Sequence, residues 1–133
     1  MVGSTLYLPI AVDGGLLSFG DGHAAQGQGE ISGTAIECPM ERAELTIHLL
    51  DDMPLDTPIA KTPDAWITLA FDTDLNVATY AAIDAMFKLI QQQYGVSRVD
   101  AIALASVTVD VHVTQIVNGI RGVHASLPHG AIR

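Results

Sequence analysis

At 133 residues with 49% apolar side chains, the chain can close one hydrophobic core without disulfides or metals as staples. Fifteen acidic against six basic side chains, formally −9, repel a phosphate backbone and argue against nucleic acid as a partner. The apolar stretches fall far short of the ~20 residues a membrane crossing needs, no secretory pattern opens the chain, and the lone Cys38 points to a reducing cytoplasm.

The front of the chain reads as strands. Thr5 to Val12 places Leu6, Leu8 and Ile10 on one face, with Pro9 marking an edge or a bulge. Asp13-Gly14-Gly15 is a turn signal, so Leu16 to Phe19 is expected to pair back as a hairpin. Ile31 to Glu37 alternates again and ends at Pro39, and Ala43 to Leu50 places Leu45, Ile47 and Leu49 on one face. Residues 51–63 read as a loop, and Trp66 to Phe71 as a short strand.

Helices follow. Thr73 or Asp74 caps the first, and Val77, Tyr80, Ile83, Met86, Phe87, Ile90 and Tyr94 form one apolar stripe that stops at Gly95. Ser97 caps a second helix, with Asp100 in a capping-box place, and Ala101 to Ala105 is apolar on all sides, which predicts a buried helix. From Val107 to Thr114 valines alternate with polar residues, a pattern that favours a strand over continued helix. Strands first and helices later indicate one α+β domain over residues 1–133. The expected architecture is a strand-rich front half, an antiparallel sandwich or barrel-like sheet, followed by two helices packed on it.

Chemistry concentrates in Gly20 to Glu30, where two carboxylates, an imidazole, two side-chain amides and four glycines crowd together. Asp21 and His23 project to one face of an extended segment, and Glu30 returns across a glycine-rich loop. Asp21, His23 and Glu30 form an acceptable oxygen and nitrogen set for a divalent metal, zinc or calcium. Such an ion lowers the pKa of bound water and polarises a carbonyl. Asp21 also fits a turn residue bonding its own backbone, and His23 a partner that holds Glu30 or Glu37 without metal. Glu37 fits either a general base or a solvent-facing strand residue. Gln26 fits a ligand for a substrate amide or a loop cap, and Gly22 a position where substrate approaches the backbone. Cys38 reads as a small buried apolar residue rather than a nucleophile, and His48 and His112 as surface or interface residues. No G-x-S-x-G run supports a serine triad.

The run SFGDGHAAQGQGEISGTAIECPM at residues 18–40 resembles the signature stretch of the acetamidase/formamidase family. GSTLYLPIAVDGGLLSFG at residues 3–20 resembles the segment leading into it. Residues 94–125, ending in Gly122-Val123-His124-Ala125, resemble the family's C-terminal end. The resemblance implies an amidohydrolase that cleaves the carbon–nitrogen bond of formamide, acetamide or a related short amide. It implies catalytic roles for Asp21, His23, Glu30 and Glu37, and it adds His124, in the matching run, to Gly22 and Gln26 as a substrate contact. Family members are usually more than twice this length. A C-terminal portion therefore also fits a non-catalytic binding or oligomerisation module, or one half of a split amidase lacking its N-terminal chain. The mean hydropathy of +0.34 is high for a small monomer and predicts a homo-oligomer or a covering partner.

Overall fold

A computed structural model describes residues 2–133. Its centre is an antiparallel sheet of five strands: β1 (Thr5–Tyr7), β4 (Ile59–Lys61), β5 (Ala65–Asp72), β7 (Arg121–Pro128) and β6 (Asp110–Gln115), in that spatial order. Two helices, α1 (Leu75–Tyr94) and α2 (Arg98–Thr108), lie between β5 and β6 in the chain. A separate two-stranded ribbon pairs β2 (His23–Ala25) with β3 (Ile36–Glu37). The α+β class holds, with two further strands after the helices. The large sheet stays open, with β1 and β6 as its edges.

Both helix boundaries follow from local chemistry. Asp74 accepts from the amides of Asn76 and Val77, and Gly95, at φ +66°, donates its amide to the Gln91 carbonyl. Ser97 accepts from the Asp100 amide and starts α2, which stops at Val109, where the backbone turns extended. Val107 and Thr108 thus both belong to α2, and the expected strand begins at Asp110, three residues later than its first valine.

The core lies between α1, α2 and one sheet face. Met86, Leu89 and Ile90 of α1 pack with Ile59, Ala125, Leu127 and the α2 residues Ala101 and Ala105. A second group, Ala70, Ala78, Ala82 and Val123, is built of small side chains that let α1 approach the sheet closely. At this approach the buried Thr68 hydroxyl donates to the Ala82 carbonyl at 2.8 Å, so its polar atom is satisfied. Only the Ala101–Ala105 face of α2 is buried; Ile102 and Val107 are exposed, which corrects the expectation of a helix buried all round.

The front is the larger departure. Leu16–Phe19 and Ala43–Leu50 form no strand, and the expected Thr5–Val12 strand is only Thr5–Tyr7. Among residues 2–52 only Gly29 is buried. Alternation requires a partner strand to become a ladder; β1 finds one in β4, and of the Ile31–Glu37 run only Ile36–Glu37 finds one, in β2. Tyr7 of β1 then stacks on Trp66 at 6.0 Å. Among the described residues no helix is long and apolar enough to cross a membrane.

Candidate functional site

The β2–β3 ribbon decides which acid meets His23. Its register sets His23 directly opposite Glu37, so the two side chains share one face of the ribbon. His23 Nε2 lies 3.2 Å from Glu37 Oε2 and 3.3 Å from Asp21 Oδ1. Asp21, at φ +60°, takes the left-handed conformation that Asp tolerates better than most residues. One ligand atom from each of Asp21, His23 and Glu37 lies within 4.8 Å of the other two. Two of the expected metal-binding residues are therefore brought together, and the third member is Glu37. Glu30 stands outside the group, on the loop that closes the ribbon.

His23 is held from its other side as well. Its Nδ1 lies 3.1 Å from Gln26 Oε1, which places Gln26 on the imidazole. The His23 side chain is half-buried, whereas the two carboxylates are largely exposed. Burial, the largest single influence, pushes the His23 pKa down; the Gln26 hydrogen bond and the Glu37 and Asp21 charges together outweigh it and raise it above 6.5. The ring thus faces acceptors at both nitrogens. It serves either as an imidazolium between two carboxylates or, with Nδ1–H donated to Gln26, as a neutral ligand directing Nε2 at a cation.

The glycine-rich loop is anchored at one point. Gly29, at φ +89°, donates to the Thr114 carbonyl at 3.0 Å and accepts from the Ile116 amide at 3.0 Å. These bonds dock the loop on the edge strand β6, and Glu30 follows at once at φ +45°. A cavity of about 330 Å³ opens beside Asp21, lined by Phe19, Gly22, Cys38, Met40 and Ala43. Gly22 is contacted by Met40, whose side chain a Cβ at that position would strike. The Cys38 amide donates to the Gly22 carbonyl at 3.2 Å, so Cys38 lies against the site rather than in the core. Phe19 and Met40 carry no sequence signal beyond being apolar; the return of β3 toward residues 20–22 brings them in.

His124 sits apart, on β7. It pairs across the ladder with His112 of β6, and its Nδ1 lies 2.7 Å from Thr114 Oγ1. Burial first, and the neighbouring His112 second, lower its pKa below 6.5.

The model of the acetamidase/formamidase family matches residues 1–130. The chain belongs to the acetamidase/formamidase family. A solved acetamidase from Bacillus halodurans is 33% identical, with a TM-score of 0.77, over 95% of this chain and 42% of that one. A recombinant predicted acetamidase/formamidase from the thermophile Thermoanaerobacter tengcongensis is 26% identical, with a TM-score of 0.81, over 95% and 42%. An acetamidase from Yersinia enterocolitica is 26% identical, with a TM-score of 0.83, over 98% and 40%. The chain therefore spans less than half the length of the solved proteins it matches. A search of curated proteins returns no match.

Proposed function

We propose that the chain carries a site for hydrolysing short linear amides, formamide or acetamide, to carboxylate and ammonia. The convergence of Asp21, His23 and Glu37 is the observation that supports this reading most. Two carboxylate oxygens and one imidazole nitrogen are a donor set that suits zinc or a similar divalent ion. When bound, such an ion supplies a polarised carbonyl and water of lowered pKa.

The remaining roles fall to the chain's own groups. Gln26 accepts from His23 Nδ1–H and fixes the ring so that Nε2 faces the carboxylates. Glu37, which would hold the ion through one carboxylate oxygen, takes with the other a proton from the attacking water and returns it to the departing amine, so that amide plus water becomes carboxylate plus ammonium. The cavity beside Asp21 takes the substrate, with its small acyl group against Phe19 and Met40 and its amide toward Asp21.

A second reading has its own support. The relatives are more than twice as long, and Leu45, Ile47 and Leu49 alternate on a segment that finds no partner strand. Both facts favour a site completed by a second copy or by another polypeptide covering the front. Ammonia release from formamide and acetamide, with and without added divalent metal, tests the first reading directly. E37Q, which removes both a metal donor and the base, should reduce the rate by at least about 10²-fold, the lower end of what a positioned base contributes. Turnover that is unaffected by E37Q would contradict the assigned role. Activity appearing only after mixing with a second polypeptide would support the second reading.

A further inference from the structure

The outer edge of β6 is open over a short, defined length. Gly29 bonds the Thr114 carbonyl and the Ile116 amide, so the glycine-rich loop covers the far end of the strand. At the near end α2 stops at Thr108 and the backbone turns extended at Val109. Between these limits, residues 109–113 have no strand beside them on the side away from β7, among the described residues. Unpaired edges template pairing with another chain, and proteins ordinarily blunt them with proline or lysine. Val109 to Val113 contains neither, whereas β1, the opposite edge, spans three residues and is followed by Pro9.

One face of this edge is apolar. Val111 and Val113 pair across the ladder with Ala125 and Val123, which are fully buried, so all four share the helix-bearing face of the sheet. Because α1 lies over β5 and β7, Val111 and Val113 stay 44% and 37% exposed. Helix α2 carries a similar surface just ahead of the strand. Val99, Ile102, Ala103 and Val107 recur at three- and four-residue spacing, and all are exposed. They lie opposite Ala101 and Ala105, the residues through which α2 joins the core.

We propose that the free edge of β6 is the contact between two copies of this chain, related by a twofold axis at Val111. The open segment is symmetric about that residue, and antiparallel pairing with itself matches every position. Val111 meets its own counterpart and Val109 meets the partner's Val113, all on the helix-bearing face. On the other face the exposed Asp110 lies opposite the partner's His112. No like charges are therefore opposed, although each copy carries a formal −9, and that charge makes most other self-contacts repulsive. The two five-stranded sheets become one, with both copies of α2 on the same side of it. The Gly29 anchor and the β2–β3 ribbon are left as they are, and the contact is separate from the apolar front.

Sedimentation of the unmodified chain at micromolar concentration should report a dimer. Val111→Lys sets two ammonium groups against each other at the axis and should raise the dimer dissociation constant by at least about tenfold. Ile47→Lys, on the exposed front, should leave it unchanged. A monomeric parent, a dimer untouched by V111K, or a dimer weakened equally by I47K would overturn the interface. Cross-linking guards against a misfolded lysine variant. With Cys38 replaced by serine, V111C should form a disulfide between copies under mild oxidation, since directly paired strand residues lie within disulfide reach. Equal or faster linkage through I47C in the same background would equally overturn it.

Discussion

Two stretches of this chain carry the same alternating pattern and meet opposite fates. In β7, Val123, Ala125 and Leu127 are at most 1% exposed, while Leu45, Ile47 and Leu49 are 57–73% exposed. The difference is not in the residues. β7 lies between β5 and β6 with α1 across one face, whereas residues 43–50 have neither a neighbouring strand nor a covering helix. Burial of apolar surface contributes about 25 cal/mol per Å², so stability concentrates behind residue 52 and the candidate chemistry lies in front of it. The ribbon's geometry rests on local hydrogen bonds and on the Gly29 anchor, not on a core of its own.

Substitutions on the two sides should separate sharply. Met86→Ala removes a fully buried side chain and should cost about 2–5 kcal/mol in urea unfolding. Ile47→Ala, at an exposed position, should stay within about 0.5 kcal/mol; equal losses would erase the distinction between the regions. Gly29→Ala forces a non-glycine residue into φ +89°, at a cost of about 1–3 kcal/mol. Its mark should be local: faster hydrogen exchange at the Ile116 amide, with the amides of α1 unchanged. Asp84→Asn loosens the α1–α2 pairing with Arg98. Because that pair is exposed to solvent, the loss should be no more than about 1 kcal/mol.

The pH dependence sharpens the contrast further. Asp84 is held below its usual 3.8, chiefly by its hydrogen bond with Arg98. Its contribution is therefore present above 3.8 and lost as pH falls through the lowered folded value. His23 behaves inversely: with its pKa raised above 6.5, its contribution in metal-free protein is full below 6.5. That contribution fades as pH climbs through the folded value. Chemical denaturation between pH 5 and 9, assay values chosen on the order of the histidine range, should show this small slope in the parent and not in H23Q.

Much of the back half was legible because its signals are local. The Asp74 oxygen, the Gly95 left-handed turn and the stripe through Met86 and Ile90 each specify α1 without knowledge of the rest. β7 was not anticipated, although Asn118 and Gly119, both at positive φ, form the kind of turn that precedes a returning strand. The site was half legible. Spacing along the chain favoured Glu30 beside Asp21 and His23, but the ribbon's register brings Glu37 across instead. Register is set by pairing over a ten-residue loop, and a single strand does not disclose it. The same limit explains Leu16–Phe19 and Ala43–Leu50, where alternation promised strands and no partner was there to form them.

The central claim is that Asp21, His23 and Glu37 hold a divalent cation while Glu30 does not. Calorimetric zinc titration of the metal-stripped chain tests it most directly. One equivalent should bind; E37Q and H23Q should each abolish that binding, and E30Q should leave it intact. Loss of binding in E30Q with retention in E37Q, or no stoichiometric zinc in the unmodified chain, would contradict the account.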